Sequence, residues 1–331
     1  MHIHQSQDFL FQKIKELLPP NASLAETVAG ILHVSSDSAY RRIRGETLLV
    51  LDEARQLCEH FHLSLDQLFN LSSGYILFRS DRIHYKTHTF ENYLTGILRQ
   101  LQQVNGCSNK EIIYLSKDIP LFHNFLLPPL ASFRYFFWMK SILKHPDFET
   151  RHFTPDCFPE ELKNVIVEMM KIYNNIPSVE IWNTECVNSL IFQVEYYKDA
   201  GYFSSSGDIK TVYDAAEEIL WHLKNQAEHG CKFLPEQNPQ HKSDNFKFFY
   251  NRITLGDNTI MAITDNIKTA FLNYDVMNYM ATRDEKFCND TYVELQSIMK
   301  RSTLISSTGE KQRNIFFNFL TEKIRERKKR I

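Results

Sequence analysis

Glycine is scarce in this chain, ten residues among 331, and the scarcity bears on function at once. Glycine-rich loops let a backbone close around phosphates, and neither G-x-G-x-x-G nor the P-loop pattern occurs. The zinc-protease pattern H-E-x-x-H and the nucleophile elbow G-x-S-x-G are missing too. The chain therefore reads as a non-enzyme, with no catalytic residues and no cofactor site. The six cysteines, at 58, 107, 157, 186, 231 and 288, include no C-x-x-C pair, so neither a zinc site nor a redox motif is indicated. Scattered thiols of this kind fit a reducing cytoplasm. No apolar run approaches the ~18–20 residues that span a bilayer, and MHIHQSQDF has no apolar signal core. A cytoplasmic protein without a membrane partner is expected. Charge of one sign is lacking as well. The net charge is −2, so any attraction to nucleic acid must come from a local patch.

What the chain does have is enough apolar residue for folded domains: 43% hydrophobic against 24% charged. At roughly 100–200 residues each, two or three domains fit the length. The 25 phenylalanines imply a large, well-filled core. Residues 1–72 read as a row of short helices. FLFQKIKELL (9–18) is apolar at 9, 10, 14, 17 and 18, one helical face, and Pro19-Pro20-Asn21 ends it. Ser23 and Glu26 have capping-box spacing and start a second helix to about Leu32. Ser35 caps a third helix that Gly45 closes. Leu51–His62 is a fourth, and Ser64 with Gln67 opens a short fifth. The expected fold class is mainly α: a five-helix bundle, then a large helical domain that contains a small antiparallel β-meander.

The stretch VAGILHVSSDSAYRRIRG (28–45) carries the functional signal. A small residue, Ala29, stands where two helices would cross. Leu32, Val34, Ala39 and Ile43 seal the space behind a short turn, which is helix-turn-helix spacing. This segment resembles the lambda-repressor-like (Cro/XRE-type) DNA-binding domains. The resemblance covers about residues 8–70, and LDEARQLCEHFHLSLDQLF (51–69) is similar to the family's fourth and fifth helices. In this chain His33 holds the turn position usually occupied by glycine, Ala25 the position often occupied by glutamine, and Arg42 a position that is apolar in the family. The resemblance implies that the third helix enters the major groove of double-stranded DNA. By matched position Ser36, Asp37 and Arg41 would read bases, while Ser38, Tyr40, Arg42 and Arg44 would hold phosphates. It also implies a transcriptional regulator acting as a homodimer. One number points elsewhere: residues 1–72 hold six Lys/Arg against nine Asp/Glu, a net of −3. A bundle that binds a protein partner is the alternative.

Beyond a linker at 70–74, residues 75–233 read as a helical domain, with helices at 90–104, 129–143, 160–173, 184–200 and 208–229. LPEQNPQHKSDN (234–245) is a polar loop. FKFFYNRI (246–253), TIMAITD (259–265) and IKTAFLNY (267–274) then read as a three-stranded antiparallel meander. Helices follow at 285–300 and 310–328, and 246–331 is expected to pack with 75–233 as one dimerisation and regulatory unit. The aromatic stretch KDIPLFHNFLLPPLASFRYFFWMK (117–140) reads as core, with a lined effector pocket as the sharper alternative. His222, Glu228, His229 and Cys231 lie close in sequence, but no metal site is expected from them. The tail TEKIRERKKRI (321–331) has six basic residues against two acidic, as a solvated helix end does; added phosphate contact is the other reading. The order of a small DNA-binding domain before a large helical one resembles one-component bacterial regulators. The runs KDIPLF, FFWMKSIL and STLIS are similar to recurring blocks of an uncharacterised group of them. An effector, small molecule or protein, is an expectation of that resemblance, and no ligand is attached to it.

Overall fold

The computed structural model describes residues 5–19, 22–61, 63–69, 75–80, 86, 89–237, 239, 244–253 and 256–331. The chain divides into two compact units, residues 1–77 and 78–331. The linker expected at 70–74 lies outside the described residues.

The first unit holds five helices: α1 (Gln5–Leu17), α2 (Leu24–Leu32), α3 (Ser36–Ile43), α4 (Leu51–Phe61) and α5 (Leu65–Leu68). Its core is built from one face of each of the first four. Leu10, Phe11 and Ile14 come from α1, Val28, Ala29 and Leu32 from α2, Ala39 from α3, and Leu57 and Cys58 from α4. Ile43, Val34, Leu65 and Leu68 pack around them.

The second unit is mainly helical around a mixed sheet. In chain order it comprises β1 (Arg79–Ser80), α6 (Phe90–Gly106), β2 (Lys110–Ser116), α7 (Leu121–Asn124), α8 (Pro128–Phe137), α9 (Glu160–Asn175), β3 (Ser178–Trp182), α10 (Asn188–Asp199) and α11 (Ser206–His229). There follow β4 (Phe246–Tyr250), β5 (Thr259–Thr264), β6 (Ile267–Asn273), β7 (Tyr279–Thr282), α12 (Glu285–Lys300), β8 (Thr303–Leu304) and α13 (Glu310–Lys328). Among the described residues the sheet has eight strands, in the order β1-β7-β6-β5-β2-β3-β4-β8. β2, β3 and β4 run parallel, and the other pairings are antiparallel.

This corrects two expectations. FKFFY does not open the meander. It lies parallel to β3, with Glu180 opposite Phe248, and β2 separates β3 from β5. Its connection to β5 runs through residues 251–258, too long for a tight hairpin. β5 and β6 do form one, with Thr264 opposite Ile267 across Asp265 and Asn266. Asp265 sits at φ 49°, a conformation that Asp tolerates better than most residues. The second correction is that KEIIYLS and SVEIW, which lie between the helices expected in a domain read as mainly helical, are strands. Both are buried on two faces. Ile112 and Tyr114 enter the large core with α6, α8, α9, α11 and α13, while Ile113, Leu115, Val179 and Ile181 enter the core under α12. In β2 the run IIYL (112–115) is apolar throughout, so the alternation that betrays a strand is lost.

The aromatic stretch is core. Phe122, Phe125, Phe133, Tyr135, Phe136 and Trp138 are all buried, and Phe133 stacks on Phe203 at 5.9 Å between ring centres. At the centre of this core sits a carboxylate. Glu180 of β3 is fully buried. It accepts from Tyr173 Oη at 2.7 Å and Trp182 Nε1 at 2.9 Å, and His123 Nε2 lies 2.8 and 3.0 Å from its two oxygens. Burial pushes its pKa up, but the charges and hydrogen bonds of His123, Tyr173 and Lys232 outweigh that, and it ends below the usual carboxylate value. Lys232 donates to Tyr173 O and Ile176 O and sits 3.6 Å from the Tyr173 ring centre. Burial drives its pKa down to about 7, against the pull of Glu180.

Removing one partner of a buried ionic cluster strands the others. Glu180→Ala is expected to cost about 3–5 kcal/mol in urea unfolding of the full chain. The lysine carries its own pH signature. Its folded pKa is lowered, so the unfolded state binds more protons between pH 7 and its ordinary 10.5, and stability contributed by this group rises across that window. Lys232→Met should flatten that rise. A wild-type stability that falls steadily from pH 7 to 10 would contradict the assignment.

Candidate nucleic-acid interface

The candidate site is the surface of α3 and the turn that delivers it. Ser23 caps α2 by accepting from Glu26 N at 3.4 Å. α2 ends at His33, which takes the left-handed conformation (φ 53°, ψ 42°) and donates its backbone N–H to Ala29 O. Val34 N–H reaches the same carbonyl at 3.1 Å, so the chain turns sharply. Ser35 then caps α3, accepting from Ser38 N at 3.3 Å, and the two hydroxyls are 3.0 Å apart. At the other end Gly45 adopts φ 74°, and Glu46 N–H bonds Arg41 O at 2.8 Å.

Behind α3 a polar clamp fixes its angle. Arg42 Nε and Nη2 donate to the two carboxylate oxygens of Glu53 on α4, at 3.0 and 2.7 Å, and Nη1 donates to Ser38 O at 3.1 Å. Each side chain is only 16% exposed. Glu53 also accepts from Val50 N, and the bond from Arg42 is the main reason its pKa is lowered. Gln7 of α1 completes the clamp. Its amide donates to Arg42 O and Thr47 O and accepts from Leu49 N, all within 2.9 Å. All three guanidinium nitrogens of Arg42 are thus engaged inside the unit. Arg42, expected among the phosphate contacts, is placed here as a strut that orients the helix.

The remaining expected residues fall into two groups. Ser36, Asp37, Tyr40, Arg41 and Arg44 are exposed and share one face of the helix, while Ser38 is half-buried against the cap. Arg44 lies 4.6 Å from the Tyr40 ring centre and 3.7 Å from Glu46, and Arg41 is also 3.7 Å from Glu46. These ion pairs are long and exposed, so each is weak and readily exchanged. Asp37 stands in the first turn, where the helix dipole favours a carboxylate.

Elsewhere the structure gives the other marked residues ordinary partners. His222 Nε2 lies 2.8 Å from Phe233 O, and burial pushes its pKa down to about 4. His229 bonds Asn225 O. No group of metal-type side chains gathers among the described residues. In the basic tail, Arg325 pairs with Glu217 and Glu322, Lys328 with Asp214 and Glu217, and Lys323 donates to Thr184 O and Asn188. Three of its six cations are thus tied to α10, α11 and the residues before them. Among the described residues no helix is long and apolar enough to cross a membrane.

Two expected outcomes follow from this geometry. His33→Gly relieves a left-handed β-carbon while freeing the unfolded chain, a net gain of about 0.5–1 kcal/mol in urea unfolding; a loss of stability would mean that the His33 side chain holds the turn. Glu53→Ala leaves Arg42 unpaired and should cost about 1–2 kcal/mol, kept small by the nearby solvent. The lowered Glu53 pKa makes this contribution full above the ordinary carboxylate range, and it is lost as pH falls through the folded value. Amide exchange at the end of α3 that is unchanged by Glu53→Ala would refute the clamp. Comparison of the chain with protein-family models, curated proteins and solved structures finds no match.

Proposed function

We propose that this chain is a sequence-specific, DNA-binding transcriptional regulator. In this reading residues 1–72 act as a lambda-repressor-like helix-turn-helix domain, and the larger unit serves dimerisation and effector response. The observation that carries the proposal is the division of labour along α3. Its inner polar residue, Arg42, is consumed in fixing the helix, while Ser36, Asp37, Tyr40, Arg41 and Arg44 are left on one exposed face. A helix held this rigidly, and dressed this way, suits insertion into a major groove. Arg41 is the base reader, able to donate in bidentate fashion to guanine O6 and N7. Asp37 accepts from a cytosine amino group, and Ser36 contacts the neighbouring base edge. Tyr40 and Arg44 hold phosphate, with Ser38 beside them.

The acidic balance of residues 1–72 favours a second reading, in which the same face binds a protein. Selection of genomic fragments at two salt concentrations separates the two. Enrichment of one palindromic site, with Arg41→Ala lowering affinity for it by roughly tenfold to a hundredfold, is expected of the DNA reader. Arg44→Ala should weaken all fragments alike and reduce the salt dependence. An operator bound equally well by the Arg41→Ala protein would sink the base-reading assignment. A chain that retains no DNA at low salt, yet forms a salt-insensitive protein complex, would favour the second reading.

A further inference from the structure

The outer face of α13 is unusual for a helix that closes a core. Arg313, Phe316, Phe317, Leu320 and Ile324 are buried on one side. On the opposite side Lys311, Ile315, Asn318, Phe319, Glu322 and Glu326 are exposed. At 3.6 residues per turn these six fall within a stripe about 100° wide. Ile315 is 47% exposed and Phe319 is 49% exposed. The neighbouring helices add to this face. Glu217 lies 2.7 Å from Arg325 and Glu228 lies 4.0 Å from Arg313, so α11 runs antiparallel beside α13. That places Trp221, 65% exposed, level with Thr321. On the other flank Lys323 bonds Asn188 of α10, and Phe192, also 65% exposed, stands one turn further along.

We propose that this face is the two-fold interface between two copies of the chain. Two observations choose a second copy as the occupant. The first is charge. Along the stripe, the cation Lys311 and the carboxylate Glu326 stand at opposite ends, and their midpoint falls at Asn318–Phe319. Packing α13 against its own antiparallel image about that midpoint sets Lys311 of each copy against Glu326 of the other. Among the described residues neither has an ion-pair partner within the chain. The same operation brings the Trp221 of one copy, beside its own Thr321, over the other's Ile315, and meets Phe319 with Phe319. An isologous interface requires this self-complementarity. The second observation is area. Trp221, Phe192, Phe319 and Ile315 at these exposures present roughly 400 Å² of apolar surface, against about 800 Å² of total area per partner in a standard interface of which about 65% is apolar in homodimers. The inference stands on α10, α11 and α13 alone and does not rest on the DNA-binding reading.

The test is sedimentation equilibrium of the full chain, without DNA, over a range of concentrations. The wild type should be a dimer. Lys311→Glu creates two like-charged pairs across the dyad and should weaken the dimer by roughly tenfold, and Glu326→Lys by a similar factor. The double variant Lys311→Glu/Glu326→Lys restores both pairs and should return the dissociation constant to near the wild-type value. Phe319→Ala should weaken the dimer more than either charge change. All are surface substitutions, and circular dichroism checks that each variant is folded. A wild type that stays monomeric overturns the proposal and leaves the face to another protein. So does a dimer indifferent to these changes. Two weakening single variants without rescue in the double would overturn the antiparallel register.

Discussion

A carboxylate sealed inside an apolar core is the constraint around which the larger unit is organised. Glu180 cannot be buried charged unless donors surround it. Those donors come from three different elements and one loop: His123 from α7, Tyr173 from α9, Trp182 from β3 itself, and the charge of Lys232 from the connection between α11 and β4. Moving any of these elements exposes the cost of the whole cluster, so the helical layer is registered against the parallel strands at one point. Lys232 extends this registration by bonding the carbonyls of Tyr173 and Ile176 at the end of α9. Apolar packing alone tolerates sliding; an ionic node with fixed donor directions does not. The faces of α10, α11 and α13 can be read as fixed surfaces because the layer beneath them has this anchor.

The smaller unit solves a related problem at its surface. A helix of eight residues such as α3 is too short to be stable by itself. It is held by Ser35 at one end, Gly45 at the other, and the Arg42–Glu53 pair behind. The pair is bidentate and mostly covered, which gives it directional value beyond its modest energy. Using an arginine as a strut also separates two roles that the sequence places side by side. Arg41 and Arg42 are adjacent, but a rotation of 100° sends one outward and the other against α4.

Much of this was legible along the chain and some was not, for physical reasons. α12 and α13 carry their limits locally: Asp284 caps the first, and Gly309, at φ 71°, precedes the second. The α2–α3 turn is equally local, since Ser23, Ser35 and Gly45 act within a few residues of their own positions. The role of Arg42 is not local. Its partner lies eleven residues away across a turn, and nothing in the RRIR run distinguishes strut from contact. β2 escaped because burial on two faces replaces alternation with the unbroken apolar run IIYL (112–115), which a helix can show as well, and β3, five residues long, is too short to fix a period. The Glu180 node was out of reach altogether. Its members are scattered along the chain from His123 to Lys232, and Glu180 within SVEIW looks like the exposed residue of an amphipathic segment. A buried charge is the feature that sequence patterning reads with the wrong sign.

The charge of the first unit bears on what the proposed regulator could do. Non-specific affinity for DNA comes from neutralised phosphates and grows with the number of cations offered. Here the net is −3, Arg42 is spent inside, and only Arg41 and Arg44 lie on the α3 face. In the proposed reading each copy would bring few counterion-releasing contacts, and even two copies would bring fewer than the six to ten of a strongly salt-dependent binder. Weak background binding is not a defect for such a protein. Selectivity is the ratio of specific to non-specific affinity, weighted by the vast excess of wrong sites. A reader with little general attraction for phosphate raises that ratio by lowering its denominator, provided that two rigid α3 helices reach their half-sites together. In that reading the demand falls on rigidity and on pairing, which the Arg42–Glu53 strut and the proposed dimer face of α13 would serve.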